Sequence, residues 1–158
     1  MTRYQGARRG EGRRVCIVAS QFNPMVTERL VEGAREALLA SGVEEEAIDV
    51  ISVPGAWELP IAARAAARKG YDAIIALGCL IRGETAHFEH VSRAAVVGLA
   101  RVQDQSGIPV GLGVLTPDTL EQALARAGGA VGHAGRQAAD AALELADLLD
   151  RLDGDGSE

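Results

Sequence analysis

Four short apolar runs, each followed by a stretch with helical periodicity, constrain the fold of this chain more than any other feature. The runs are rich in β-branched residues, and most are nearly continuous rather than alternating, as expected for parallel strands covered on both faces. This repeated strand–helix alternation predicts an open α/β sheet with crossover connections. The runs are Val15–Ser20, Ile48–Val53, Asp72–Gly78 and Pro109–Leu115.

The stretches between and after the runs carry apolar residues at helical spacing, and several end in glycine. Gly42 and Gly107 stand at two of these ends, where glycine is typical of a left-handed helix stop. Asp118, with Glu121 three residues later, resembles a capping box at the start of another helix. A last helix is predicted from Gly135 to Leu152.

The length of 158 residues is enough for one domain with a buried core. We predict an N-terminal arm over residues 1–14 and a single α/β domain over residues 15–152. The last residues, 153–158, are acidic and glycine-rich, and we expect them to form a disordered tail.

The net charge of −6, from 16 basic and 22 acidic side chains, argues against nucleic acid or an anionic membrane as the main partner. The N-terminal arm is nevertheless basic, which is typical either of a nucleic-acid arm or of a solvated or inter-subunit arm. We favour the second interpretation, because only Tyr4 interleaves with the arginines. These arginines are Arg3, Arg8, Arg9, Arg13 and Arg14.

No apolar run approaches the roughly 20 residues that a membrane span needs. The first residues lack the apolar segment of a secretory signal, so we expect a cytoplasmic protein without a membrane partner. Cys16 and Cys79 lie in or beside apolar runs and fit no metal-ligand spacing. We therefore expect buried free thiols and no metal site.

Four loops follow the predicted strands, and they are the places to search for a site. Ligands of open α/β sheets bind beyond the carboxyl ends of the strands, where these loops lie. The loops are QFNP (21–24), PGAWE (54–58), CLIRGETAH (79–87) and TPDT (116–119).

The first two loops offer an aromatic ring and close backbone approach. Phe22 directly follows the first run, where it either caps the core or offers a flat face to a planar heterocycle. Asn23 adds a short donor and acceptor. Gly55 and Ala56 allow backbone N–H groups to approach a ligand closely. Glu58 is either a favourable acid in the first turn of a helix or a ligand for polyol hydroxyls.

The third loop leads into a helix and has the features of a phosphate site. Backbone N–H groups and the positive end of the helix dipole at Gly83–Thr85 favour an anion. The chain has neither a Walker lysine pattern nor G-x-G-x-x-G, so ATP and NAD are poor candidates. His87 opens the helix, and histidine titrates near neutral pH, so it is a candidate for proton transfer or an ordinary surface residue. We interpret His90 as structural, and Arg126 as either a helix C-cap or a phosphate clamp.

In their order and spacing, these loops resemble the lumazine synthase family of riboflavin biosynthesis. The resemblance extends from Val15 to about Leu149, and its most specific part is the run IRGETAHF. The matching stretches are Phe22–Asn23, Val53–Pro60, Ala76–Val91, Gly113–Gly128 and the turn GHAG at 132–135.

The resemblance implies both a fold and a reaction. The fold is a flavodoxin-like, three-layer α/β/α domain whose four-stranded parallel sheet is extended by an N-terminal strand from a neighbouring subunit, here Arg3–Gly6. The reaction is that of a transferase, which condenses 5-amino-6-(D-ribitylamino)uracil with 3,4-dihydroxy-2-butanone 4-phosphate to 6,7-dimethyl-8-ribityllumazine, phosphate and water. No metal or organic cofactor is implied. The alternative is a non-catalytic flavin-binding or shell protein of the same fold.

By the same resemblance His87 is the catalytic residue and shuttles protons. The remaining residues bind the pyrimidinedione ring, the ribityl chain or the phosphate. They are Phe22, Leu80 and Ile81 for the ring; Asn23, Ala56, Trp57 and Glu58 for the ribityl chain; and Glu84, Thr85 and, from a neighbouring subunit, Arg126 for the phosphate.

Three positions depart from the family pattern. Leu112 stands where a phenylalanine that reaches into the neighbour's site is common, and Trp57 stands where many members have phenylalanine. The GHAG turn has His133 and Ala134 where many members have a GNKG-like turn with a lysine before the last glycine, so the resemblance does not carry over a second cationic contact there. The family assembles into pentamers, and because the turn over residues 128–135 is compact, we expect twelve pentamers to close into an icosahedral shell of about 60 subunits.

Overall fold

The computed structural model describes residues 1–154, and strands alternate with helices along this part of the chain. The strands are β1 (Val15–Ser20), β2 (Ile48–Val53), β3 (Ala73–Cys79) and β4 (Val110–Leu115). The helices are α1 (Pro24–Ala40), α2 (Leu59–Ala66), α3 (His87–Ser106), α4 (Leu120–Ala125) and α5 (Ala134–Gly154), with 3-10 turns at Glu45–Ala47 and Ala56–Glu58. The predicted strands are confirmed, except that β3 begins and ends one residue later than expected and β4 begins one residue later.

The strands form a parallel sheet in the order β2-β1-β3-β4, between two layers of helices. Every residue of the central strands β1 and β3 is buried, as their continuous apolar runs predict. Ile17 and Ile75 pack in the core on the side of α1 and α5, whereas Val18 and Ile74 pack on the side of α2 and α3. The chain therefore has the predicted flavodoxin-like α/β/α fold.

The edge strand β2 differs from the expectation that the strands are covered on both faces. Residues 49, 50 and 52 are exposed, and Val50 retains 51% of its accessible surface. The reason is its place in the sheet, since β2 pairs with β1 alone within residues 1–154. Its outer edge carries backbone groups free to pair with another strand. Residues 3–6, the predicted added strand, form no strand in this single chain.

Helix ends follow the predicted glycines. Gly42 and Gly107 have φ of 103° and 72°, the left-handed conformation that ends α1 and α3. The last helix begins at Ala134 and continues through Gly154, so it includes the first two residues of the predicted tail, 153–158. Residues 155–158 lie outside the part of the chain that the structure describes.

The capping box of α4 lies one residue later than the sequence analysis predicts. Thr119 Oγ1 accepts a hydrogen bond from the Gln122 N–H at 3.2 Å, and Gln122 Oε1 accepts one from the Thr119 N–H at 3.3 Å. The predicted box of Asp118 and Glu121 is therefore wrong. The Asp118 carboxylate instead accepts a hydrogen bond from Arg82, in the preceding strand-to-helix loop.

The basic arm lies along α5 of its own chain. Arg8 forms ion pairs with Asp140 at 3.1 Å and Glu144 at 2.7 Å, and Arg13 pairs with Asp150 at 2.8 Å. Acidic residues of the last helix therefore balance much of the charge that the sequence analysis assigned to a solvated or inter-subunit arm.

Asp147 fixes this arm from the core side. Its carboxylate is buried and accepts hydrogen bonds from the Ala7 N–H at 2.7 Å and from Arg151 Nε at 2.8 Å. Burial raises the pKa of Asp147, but these donors outweigh it, and the pKa is lowered overall. The Gly6 backbone also lies directly against the helix, where a Cβ would overlap the Glu144 carbonyl oxygen. The arm is thus docked from Gly6 onward.

Cys16 and Cys79 are buried and free, as predicted, and burial raises the pKa of each thiol to about 11. Within residues 1–154, no three metal-ligating side chains are grouped closely enough to hold a metal ion. Among the described helices, none has both the length and the apolar character that membrane crossing requires.

Candidate active site

A pocket of about 690 Å³ lies at the carboxyl edge of the sheet, where the loops after β1, β2 and β3 meet. Most of the predicted ring-binding and ribityl-binding residues line it together with His87. The lining residues are Phe22, Gly55, Ala56, Trp57, Glu58, Cys79, Leu80, Ile81, Gly83, Thr85, His87, Phe88 and Val91.

Two aromatic rings stand at this pocket with most of their surface free. Phe22 is 66% exposed and Trp57 is 65% exposed, although both are large apolar side chains. Their loops are joined by backbone hydrogen bonds from Phe22 N–H to the Pro54 carbonyl at 3.1 Å and from Gln21 N–H to the Val53 carbonyl at 2.7 Å. Solvent-facing rings on loops joined in this way are suited to stack on a planar ligand.

Asn23 lies behind the pocket and does not line it. Its Nδ2 donates a hydrogen bond to the Cys79 carbonyl oxygen at 2.9 Å, which connects the first loop to the end of β3. The structure thus gives this predicted ribityl ligand a contact within the protein.

The second loop is held by Glu58. Its Oε1 accepts a hydrogen bond from the Gly55 N–H at 2.8 Å. One carboxylate oxygen therefore stabilises the start of the helical segment, which is one of the two predicted roles of Glu58. Glu58 also lines the pocket, and Ala56 between them is buried. The carboxylate is therefore fixed at the pocket wall, where it presents an acceptor to a hydroxyl-rich ligand.

The third loop runs from β3 along the loop that follows β4. The Leu80 N–H donates to the Leu115 carbonyl at 2.8 Å, and the Arg82 N–H donates to the Pro117 carbonyl at 3.0 Å. Within residues 1–154 no hydrogen bond engages the intervening Ile81 N–H. Of the two predicted ring-binding residues in this loop, Ile81 has a backbone N–H that is free among the described residues, whereas the N–H of Leu80 is already used.

The N-terminus of α3 points into the pocket. His87 is the first residue of this 20-residue helix, it is exposed, and its N–H lies 3.4 Å from Thr85 Oγ1. Gly83 and Thr85 line the pocket, whereas Glu84 is exposed and does not. The positive end of the helix dipole favours an anion beside His87.

Sequence reasoning missed three residues of the pocket wall: Cys79, Phe88 and Val91. Phe88 and Val91 are three residues apart on α3, a spacing that also describes an ordinary core face. The signal that distinguishes them is proximity to His87 at the helix start. The protonated Cys79 thiol, with its raised pKa, is a wall residue and not a nucleophile.

Besides Asn23 and Glu84, two further predicted site residues do not line this pocket. Arg126 lies in a separate hollow of about 380 Å³, with Asp118 and Gln122, on the other side of the β4 loop. Leu112 is half exposed on β4, in a small hollow of about 140 Å³ beside Val96. Both were predicted to serve a neighbouring subunit, and neither lines the pocket of its own chain.

Comparison with known proteins agrees with the loops and the fold. The family model of 6,7-dimethyl-8-ribityllumazine synthase matches residues 12–150. A 6,7-dimethyl-8-ribityllumazine synthase from Xanthomonas euvesicatoria is 52% identical over 153 residues, which cover 96% of this chain and 99% of the relative. Enzymes of the same name from Gemmatimonas aurantiaca and Stenotrophomonas maltophilia are 53% and 50% identical, over 96% of this chain and 93% and 99% of their own lengths. The chain therefore belongs to the 6,7-dimethyl-8-ribityllumazine synthase family.

Proposed function

We propose that this protein is a transferase of riboflavin biosynthesis that forms 6,7-dimethyl-8-ribityllumazine from 5-amino-6-(D-ribitylamino)uracil and 3,4-dihydroxy-2-butanone 4-phosphate. The observation that carries the proposal is the pocket itself. It joins two exposed rings, Phe22 and Trp57, to a helix N-terminus that begins with His87. A planar ring, a polyol and a phosphate each find matching chemistry there.

The first substrate lies between the loops after β1 and β2. Phe22 stacks on the pyrimidinedione, and the backbone around Leu80 and Ile81 hydrogen-bonds its edge, with the N–H of Ile81, free within residues 1–154, as the donor. The ribityl chain runs along Ala56, Trp57 and Glu58, with the Glu58 carboxylate as acceptor. The contact between Asn23 and Cys79 supports a role for Asn23 in placing these loops.

The phosphate of the second substrate lies at the start of α3. Backbone groups of the loop at Glu84 and Thr85 bind it, supported by the dipole of the helix. His87 beside it then moves protons between the reacting groups. In this arrangement the phosphate and the ketone of the second substrate lie beside His87, where charge develops during the reaction.

The chemistry needs proton transfers and close placement of two molecules. The 5-amino group of the pyrimidinedione attacks the ketone, and loss of water gives an imine. Phosphate then leaves by elimination, and the enol that forms becomes a carbonyl group. The ribitylamino nitrogen attacks this carbonyl, and loss of a second water closes the ring. Each step moves a proton, and a histidine imidazole can both accept and donate one. Much of the rate enhancement comes from holding both substrates together. The proposal includes no metal or organic cofactor.

A second subunit completes the site. Arg126 and Leu112 lie outside the pocket of their own chain, and in the proposed ring they reach the pocket of the neighbour. The Arg126 guanidinium is exposed, and its planar fork suits a phosphate group. The working unit is accordingly a homo-pentamer in the cytoplasm, with small-molecule substrates and no nucleic-acid or membrane partner.

Residues 1–14 form an arm and residues 15–152 the catalytic domain of each subunit. Arg3–Gly6 of each arm adds a strand to the β2 edge of the neighbour. The exposed edge at Val50, beside a groove of about 390 Å³ against α1, supports this placement. Pairing there satisfies backbone groups that the edge otherwise leaves open.

Twelve pentamers then close into a shell of about 60 subunits. The turn before α5 is short, and the Gly135 backbone lies against the Leu30 carbonyl of α1, where no Cβ fits. This close approach supports a sharp, rigid bend between α4 and α5. Light scattering or electron microscopy tests the shell, and free pentamers alone at neutral pH and moderate salt would exclude it.

The enzyme assignment is tested by incubating the purified protein with both substrates. We expect the absorbance and fluorescence of the lumazine to rise together with one equivalent of released phosphate. A folded protein that binds a flavin tightly, and forms no lumazine, would instead be the non-catalytic flavin-binding or shell protein.

A further inference from the structure

Arg82, in the third loop, makes four contacts although it does not line the pocket. Its N–H donates to the Pro117 carbonyl at 3.0 Å, and its Nε donates to Asp118 Oδ1 at 2.7 Å. Its Nη1 donates to Glu89 Oε1 at 3.2 Å. The guanidinium carbon lies 4.8 Å from the centre of the Phe88 ring, within the range of a cation–π contact.

On one side these contacts end at the start of α3. Phe88 is buried and lines the pocket, and it directly follows His87. Glu89 belongs to the same first turn. Arg82 therefore fixes the turn that carries the proposed proton shuttle.

On the other side the contacts end at the loop after β4. Asp118 lines the hollow that also contains Arg126. The guanidinium of Arg82 thus connects the wall of the chain's own pocket to the hollow that contains Arg126. That hollow is the one proposed to serve the neighbouring subunit. A lysine, which is a point charge on a flexible stem, cannot make these contacts together.

An exposed ion pair taken alone would mean little. Arg82 is about half exposed, and exposed pairs contribute little to stability. Arg35 provides the comparison, because it is also exposed and pairs with two acids, Glu32 and Glu45, on the helix α1 side of the molecule. Arg35 does not line any pocket described above. Its replacement therefore shows how much the loss of an exposed ion pair changes the kinetics when no site lies beside it.

We propose that Arg82 is a positioning residue for the condensation. It holds His87 and Phe88 in place relative to the loop that contains Asp118. Through that loop it also positions the hollow that contains Arg126. This proposal rests on the proposed function. Its effect on the reaction is indirect, since a reacting group displaced by about an ångström loses much of its rate.

The test measures kcat and KM for each substrate in Arg82→Ala, Arg82→Lys and the control Arg35→Ala, at equal concentrations of assembled protein. We expect Arg82→Ala to lower kcat by about tenfold or more. The KM of the pyrimidinedione should change less than twofold, because stacking on Phe22 does not involve Arg82. Arg35→Ala should retain wild-type kinetics.

Arg82→Lys separates position from charge. It keeps the positive charge near the phosphate but loses the planar fork, so kcat should stay closer to Arg82→Ala than to the wild type. Full recovery of kcat in Arg82→Lys would overturn the proposal, since charge alone would then suffice. Unchanged kcat in a folded, assembled Arg82→Ala would overturn it as well.

Asp118→Asn and Glu89→Gln cover the case in which Arg82→Ala does not fold. Each removes one charged partner while retaining the shape of the side chain, and each should lower kcat by less than Arg82→Ala. In a double-mutant cycle, Arg82→Lys combined with Asp118→Asn should lose less than the product of the separate losses. If the separate losses of kcat simply multiply in the double variant, the proposal is overturned. It is also overturned if kcat is unchanged in both Asp118→Asn and Glu89→Gln. A wild-type protein that forms no lumazine would refute the proposed function itself and is thus a distinguishable outcome.

Discussion

Asn23 Nδ2 donates a hydrogen bond to the Cys79 carbonyl oxygen at 2.9 Å and so connects the ends of β1 and β3. Asn23 has φ of 59° and ψ of 59°, and it is the only residue other than glycine with positive φ within residues 1–154. Asparagine tolerates this left-handed conformation better than most residues. The strained backbone and the side-chain bond together place the preceding residue, Phe22, at the pocket.

Asn23→Gly and Asn23→Asp test this role. Glycine keeps the left-handed backbone but loses the bond, and aspartate keeps the shape but cannot donate to a carbonyl when ionised. We expect both to raise the KM of the pyrimidinedione by about tenfold or less, the value of one neutral hydrogen bond, with a smaller change in kcat. Steady-state kinetics with each substrate varied in turn give this result. An unchanged KM in Asn23→Gly, alongside a raised KM in Phe22→Ala, would contradict it.

The same contact shows where sequence reasoning ends. The strands were predictable because each is a nearly continuous apolar run, which local composition reveals. The partner of Asn23 was not, because Cys79 lies 56 residues away and the pairing exists only after β1 and β3 are adjacent. The exposure of β2 was missed for a similar reason, since strand order depends on long-range pairing that no local pattern encodes.

The site was predictable in its loops and less so in its walls. Phe22 and His87 belong to the loops that follow strands, where α/β sheets bind their ligands. Phe88 was missed because its spacing is that of any buried helix face, and the contacts of Arg82 depend on a loop more than 30 residues away. Residues that act through others leave no local signal.

Replacement of His87 tests the proton shuttle. His87→Ala should lower kcat by about 10²-fold, the low end of general acid–base contributions, because water or buffer can replace a shuttle while the substrates stay positioned. His90→Ala is the matched control, since His90 is exposed on the same helix and does not line the pocket. Complete loss of activity in a folded His87→Ala protein would show that this histidine does more than move protons.

The contact between Gly33 and His133 sets the packing of α1 against the turn before α5. A Cβ on Gly33 would lie 2.0 Å from His133 Cε1, so Gly33→Ala should destabilise the fold by about 1–3 kcal/mol despite the better helix propensity of alanine. Urea unfolding of the variant measures this. In a His133→Ala background the same substitution should cost less, and an equal cost in both backgrounds would rule out the imidazole as the obstacle.

His133 also makes the start of α5 sensitive to acid. Its Nδ1 accepts hydrogen bonds from the N–H groups of Gly135 at 3.2 Å and Arg136 at 3.4 Å, so it acts as an N-cap that requires the neutral ring. Burial, and then the nearby Arg136 charge, lower the pKa of His133 from its usual 6.5. Glu36, which pairs with Arg136 at 3.0 Å, is the nearby acid on α1.

The sign of the pH dependence follows from this lowered pKa. The unfolded chain takes up a proton as pH falls through 6.5, before the folded chain does, so this contribution to stability is present above that pH and is lost as pH falls through the folded pKa. His133→Asn keeps an acceptor at the cap and should flatten this part of the profile. Unfolding free energies measured from pH 8 to pH 5 compare the two proteins. Parallel profiles would contradict the titrating cap.

The central claim is that the pocket around Phe22 becomes an active site only when Arg126 of another subunit completes it. Mixed assembly of Phe22→Ala and Arg126→Ala subunits tests this most directly. Each variant alone should form lumazine slowly, whereas rings refolded from both contain some interfaces with an intact Phe22 and an intact Arg126. The account predicts that lumazine formation rises well above that of either variant alone. Well-mixed rings with no gain in activity would place both residues in the site of one chain and would contradict the account.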